Sequence, residues 1–242
     1  MLDLFSEFVH DGAMSSFETR QISGLQTHVL NGAAPKPRAI VLFHGFGADY
    51  NDLVPLAEML GLRQDTTWYF PNGMQEVIMG PGMAGRAWFQ IDMSRIEQAM
   101  VKGQHFDLST HRPSGLDRAR DRVGTFYSDI CSRHDEVILG GFSQGAMLST
   151  ELAFTQSRKP DGLVLMSGAL IDEANWKKWA TSCRGVRFIQ SHGKNDVILG
   201  YQFAERLYDL LLEAGLEGEF VPFSGGHEIP PKVISKIAEF LS

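Results

Sequence analysis

The sequence predicts an α/β fold with a mostly parallel central sheet and helices on both faces. Three observations predict it. Short apolar runs are continuous rather than alternating, as in strands buried on both faces. Helical patterns lie between them, as in βαβ units. Each run also ends in a Gly-rich or polar turn, where such sheets place their ligands. At 242 residues, the whole of 1–242 reads as a single domain.

The elements follow in order. "TRQISGLQTHVLNG" (19–32) alternates roughly and carries turn glycines, so a hairpin is expected near the start. The apolar runs are 37–47, 66–73, 135–145, 161–169, 185–196 and 218–227. Helical patterns cover 51–61, 114–134, 145–156, 201–215 and 230–241, with Ser114 as the expected N-cap of the second. Residues 74–113 break the rhythm. They are rich in Gly and Met and show no clear strand, so an excursion with a cap or lid role is expected there.

Bulk properties narrow the function classes. A hydrophobic fraction of 43% supports a proper core. A net charge of −7 without any Lys/Arg-rich run argues against nucleic acid and against an anionic membrane surface. Cys131 and Cys183 make no disulfide framework; reduced thiols fit a cytoplasmic location. The opening "MLDLFSEFVHDG" has acids where a signal peptide needs positive charge. No run approaches the ~18 apolar residues of a span, so integral membrane association is not expected.

The chemistry centres on Gly141-Phe142-Ser143-Gln144-Gly145, the only G-x-S-x-G in the chain. An apolar run leads into it and a helical run follows, the context of a nucleophile elbow. The bland alternative is a tight turn that happens to contain serine. A serine hydroxyl needs a base, and the base an orienting acid. On an α/β-hydrolase fold the order is serine, acid, histidine. After Ser143 only His192 and His227 remain. His192 precedes the next acid by four residues and breaks that order; its expected role is shaping its turn. His227, in "SGGHEIP" after the last strand, is the expected base. Among the intervening acids, which include Asp161, Asp172, Glu173, Glu205 and Asp209, only Asp196 follows a strand end within a turn, in "SHGKND".

Developing negative charge needs donors. The residue after the nucleophile supplies one N–H, here Gln144. "FHGFGAD" (43–49) is placed to supply the second from Phe46, with His44 bracing the loop. "GPGMAG" (80–85) matches a dinucleotide fingerprint, but Pro81 occupies the turn and "RAWFQID" reads as extended, so it is set aside. No P-loop, H-E-x-x-H or C-x-x-C pattern occurs, and no metal or other cofactor is expected.

"HGFGAD", "PNG", "RAWF", "GGFSQGAM", "SHGKNDVI" and "GGHEI", in this order over roughly residues 37–241, resemble the phospholipase/carboxylesterase family of α/β-hydrolases, which includes the acyl-protein thioesterases. The resemblance implies a cofactor-free serine hydrolase of esters or thioesters. It carries Ser143, Asp196 and His227 as triad, and Phe46 and Gln144 as oxyanion donors. The sequence departs from the family's frequent pattern at Ala146, at 198–200 ("ILG") and at Gln90, with Asp92 close by. The expected reading is a carboxylesterase acting on a small-molecule or lipid acyl ester. Alternatives are a lysophospholipase or acyl-protein thioesterase on the same triad, or a binding module on a hydrolase scaffold. Met79, Met83 and Trp88 in the excursion are the expected substrate contacts. The sequence names neither the acyl and leaving groups nor the oligomeric state.

Overall fold

The structure, a computed structural model, describes residues 18–31, 38–60 and 65–242. The opening dodecapeptide lies outside the described residues. Strands β1 (Glu18–Ile22) and β2 (Leu25–Leu30) form the expected hairpin. Its turn, Ser23-Gly24, has φ of 46° and 74°, the mirror-image turn whose twist suits paired strands.

Six further strands complete the main sheet: β3 (Arg38–Phe43), β4 (Thr66–Pro71), β7 (Glu136–Phe142), β8 (Gly162–Met166), β9 (Arg187–Gly193) and β10 (Glu217–Phe223). The order is β1-β2-β4-β3-β7-β8-β9-β10. The hairpin joins β4 antiparallel, and every pair from β4 to β10 is parallel. This is an α/β-hydrolase fold.

Alternate strand residues serve opposite faces. Val41, Phe43, Leu139, Leu163 and Leu165 pack with α3 (Leu116–Cys131), α4 (Gln144–Thr155), α5 (Glu173–Ala180) and α6 (Tyr201–Glu213). Ile40, Leu42, Ile138, Val164 and Met166 pack with α1 (Val54–Met59) and α7 (Pro231–Leu241). Burial on both sides explains why the runs read as continuous rather than alternating.

Two expectations need correction. The 74–113 segment does contain strands: β5 (Gln75–Gly80) and β6 (Met83–Ala87) form a separate antiparallel hairpin, followed by α2 (Met93–Val101). Pro81-Gly82 of "GPGMAG" turns that hairpin, with Gly82 at φ 73°. Its strands escape sequence reading because the hairpin stands outside the main sheet and β5 carries exposed apolar residues, which blur the two-residue period. Ser114 is not the cap of α3. Gly115 takes that position at φ 82° and offers no side-chain hydrogen bond. Helices α2 and α5 are additions to the sequence reading.

The excursion is tied down at its far end. Arg112 pairs with Glu151 at 2.7 Å and with Asp172 at 2.6 Å, while Trp176 Nε1 donates to Glu151 at 2.7 Å. Glu151 is fully buried in α4, so this carboxylate tolerates its dry surroundings only because it is paired.

Candidate active site

Ser143 sits between β7 and α4 with φ 55° and ψ −116°. Such a backbone in a non-glycine residue stores about 1–3 kcal/mol and needs enforcement from its surroundings. The surroundings supply it. The Ser143 N–H donates to the Met166 carbonyl at 2.8 Å, pinning the turn to β8. A Cβ on Gly145 would overlap the Phe43 carbonyl, and one on Gly141 would lie 2.5 Å from the same oxygen. The two glycines of the motif are therefore what lets the turn lie flat on β3.

Asp196, after β9, is 2% exposed. Its Oδ1 accepts the Ile198 and Leu199 amides, each at 2.9 Å. Its Oδ2 lies 2.6 Å from His227 Nδ1 and 3.2 Å from His192 Nε2. Burial pushes the carboxyl upward, but the hydrogen bonds from His192 and His227 outweigh it and hold Asp196 well below the usual carboxylate range. An ionised acceptor at Nδ1 leaves His227 Nε2 free to take a proton.

The loop bearing His227 is packed onto the sheet end. Asn195 N donates to Gly225 O at 2.9 Å, and the Ser167 hydroxyl donates to Glu228 O at 3.3 Å. The imidazole packs against Phe142, the residue before Ser143, with ring centroids 4.7 Å apart and planes tilted by 50°. Serine and imidazole are thus brought to neighbouring positions. Among the described residues Ser143 Oγ makes no hydrogen bond; such contacts commonly tighten only when substrate is bound.

Opposite lies the loop after β3. A Cβ on Gly45 would be 3.4 Å from Ser143 Cβ, so the loop runs directly beside the serine. The Phe46 and Gln144 amides have no backbone acceptor among the described residues, which leaves both N–H groups for a developing oxyanion. His44 braces this loop. Its Nε2 accepts from Gly73 N at 2.9 Å and its Nδ1 donates to Gly45 O at 2.8 Å. Burial depresses its pKa to about 4. Protonation would place an N–H against the Gly73 N–H, so this histidine holds position and moves no proton.

Gln144 has a second use that sequence reading missed. Its side chain accepts from Trp88 N at 2.9 Å and donates to Phe89 O at 2.8 Å. The chain leaving β6 is thereby clamped to the residue after Ser143. Trp88 requires correction as a substrate contact. It has no exposed surface, and its Nε1 donates to His44 O at 3.0 Å. It supports the loop from beneath. Met79 and Met83 do reach solvent, at 44% and 42% exposure, and the Met79 methyl would lie 2.5 Å from a Cβ on Gly47.

The sequence profile described as Phospholipase/Carboxylesterase matches residues 25–242. The chain belongs to that family. It is a serine hydrolase of the esterase and thioesterase kind. The family includes a relative from Mycosarcoma maydis, named acyl-protein thioesterase 1, that is 27% identical across 91% of this chain and 97% of its own. Among solved structures, esterase PE8 superposes with a TM-score of 0.74 at 21% identity, covering 90% of this chain and 97% of its own. A carboxylesterase from Mesorhizobium loti gives 0.72 at 21% identity over 93% and 98%. At that identity the superpositions speak for the fold alone.

His192 is the other site residue that sequence reasoning undervalued. It is fully buried, and its Nε2 lies 2.7 Å from Leu199 O as well as 3.2 Å from Asp196. It does shape its turn, but it also touches the acid. The four-residue spacing to Asp196 was the available signal.

Proposed function

We propose that this family member is a carboxylesterase working through an acyl-enzyme on Ser143. The observation that carries the reading is the 2.6 Å contact between Asp196 and His227 Nδ1 on a loop packed beside the elbow. His227 Nε2 takes the Ser143 proton as Oγ bonds to the ester carbonyl carbon. The carbonyl oxygen, now negative, is held by the Phe46 and Gln144 amides. Collapse breaks the bond to the alcohol oxygen, which leaves with the proton from His227. Water then repeats the sequence, with its proton passing to His227 and back to Ser143 as the acid departs. Asp196 stays ionised and steadies the imidazolium.

A second reading, a thioesterase or lysophospholipase for longer acyl chains, is favoured by the apolar hairpin over the oxyanion loop, where Ile78 is 86% exposed beside Met79 and Met83. The hairpin then serves as the cap above the acyl group. The unpaired thiols Cys131 and Cys183 suit the cytoplasm, and that location is kept as part of the proposal.

The test is Ser143→Ala, assayed on matched oxygen and thiol esters of graded acyl length. It should fold normally and lose on the order of 10⁴–10⁶ in kcat, and a fluorophosphonate probe should label only the unsubstituted protein. Activity retained at more than a few per cent would refute the assignment. The ratio of thioester to ester turnover separates the two readings.

A further inference from the structure

Beside the carboxyl end of β4 is a cavity of about 410 Å³. Three guanidinium groups line it, those of Arg86, Arg118 and Arg122, together with Asn72, Gly73 and Met74. Among the described residues, no acidic side chain lines it. In a chain of net charge −7, such a local excess of positive charge is against the general trend.

Elsewhere the arginines are mostly neutralised. Arg112, Arg120, Arg133 and Arg206 each pair with carboxylates. Two of the cavity's three, Arg118 and Arg122, have no carboxylate partner among the described residues. Arg118 has no hydrogen-bond or ion-pair partner among the described residues. Among the described residues Arg122 reaches only the Gly24 carbonyl, at 3.2 Å. Arg86 is held by the Gly73 carbonyl at 2.8 Å, and its nearest carboxylate, Glu76, stands 3.9 Å away and largely exposed. Arg118 and Arg122 lie four residues apart in α3, where like charges repel on one stripe. Their neighbours Asp117 and Asp121 turn instead to Arg112 and Arg120.

We propose that this cavity is a binding site for a small dianion of the phosphate class, a site separate from the Ser143 centre. Arginine forks match phosphate oxygens with paired N–H donors. Arg86 stays fixed through Gly73, so the site has a rigid floor, while the exposed Arg118 and Arg122 close on the ligand from the helix. The proposal concerns binding and does not depend on which ester the enzyme cleaves.

The experiment is thermal unfolding of the full chain titrated with inorganic phosphate at constant ionic strength, with malonate in a parallel arm. Saturable stabilisation is expected, with a Tm rise of roughly 3–6 °C at ten times Kd. The double variant Arg118→Ala/Arg122→Ala should fold, since both side chains are exposed, and should weaken phosphate binding at least ~10-fold. A Tm that climbs linearly without saturation, or saturates equally in the double variant, would overturn the site. Tighter saturation by malonate would overturn the phosphate class.

Discussion

Replacing His44 by Asn tests the brace beneath the oxyanion loop through its pH dependence. The folded protein holds His44 neutral, with its pKa lowered from 6.5 to about 4 by burial. Below pH 6.5 the unfolded chain takes up a proton that the folded chain refuses. Stability from this residue is therefore complete above 6.5 and drains away as pH falls towards 4. At about 1.4 kcal/mol per pH unit, that window is worth roughly 3 kcal/mol. Asn cannot titrate there, so the variant lacks this slope. It also loses the bond to the Gly73 amide inside a dry loop, a cost of about 1–3 kcal/mol at neutral pH. Urea midpoints of both proteins at about pH 7.5 and about pH 5 should show a gap that narrows sharply, or reverses, in acid. Ester turnover should fall about 10²-fold because the Phe46 amide loses its support. A stability gap of equal size at both pH values would refute the neutral-brace argument.

Two further substitutions probe the walls of the site. Gly145→Ala forces a methyl group into the Phe43 carbonyl and should cost about 3 kcal/mol or more, read as a Tm fall of roughly 6–12 °C or as insoluble protein; an unshifted Tm would mean that the elbow is not pressed on β3. Met79→Ser with Met83→Ser should lower kcat/KM for long acyl esters several-fold more than for acetyl esters, because each lost methylene contact is worth up to about 0.8 kcal/mol. Equal losses for both chain lengths would make the hairpin mere scaffold.

What could be read from the sequence divides along a physical line. Residues 135–145 were legible because β7, buried on both faces, is apolar or glycine from Val137 up to the turn at Ser143, and 185–196 because Phe188 and Ile189 lead into the polar, glycine-containing turn "SHGKND". The pairing of Asp196 with His227 could be inferred because chain order and strand ends restrict which side chains meet. Side-chain clamps carry no such signature. Nothing near Gln144 in the sequence indicates that its amide holds the backbone at Trp88 and Phe89, more than fifty residues away. Trp88 was misjudged for the same reason: an indole in a Met-rich excursion looks exposed until its N–H is found on His44 O. The hairpin β5–β6 was missed because Ile78, Met79 and Met83 are apolar yet exposed, so polarity does not mark the solvent side.

Two of the three departures that the sequence reading notes, Gln90 and 198–200, fall where the excursion meets the sheet ends, while Ala146 lies within α4 beside Gly168. Gly200, within the 198–200 departure, lies under His105: a Cβ at Gly200 would stand 2.6 Å from that ring. A bulkier residue at 200 would push the excursion off the turn whose Ile198 and Leu199 amides hold Asp196. Gln90 follows the clamped Trp88-Phe89 pair, and its N–H donates to Ser114 O at 3.0 Å, closing the excursion on itself. On the near side, Gly47 N donates to Arg86 O and Arg86 N to Ala48 O, each at 2.8 Å, which joins β6 to the oxyanion loop as an added rung of backbone pairing. A side chain at Gly85 would overlap the Gly47 carbonyl, so β6 and this loop are in backbone contact. The excursion therefore grips both the loop beside Ser143 and the turn carrying Asp196, while Ile78, Met79 and Met83 near its tip stay exposed. Under the proposed function, changes confined to its tip alter which acyl group is accepted without disturbing Ser143, Asp196 or His227, and the sequence differences at 90 and 200 fall on its roots.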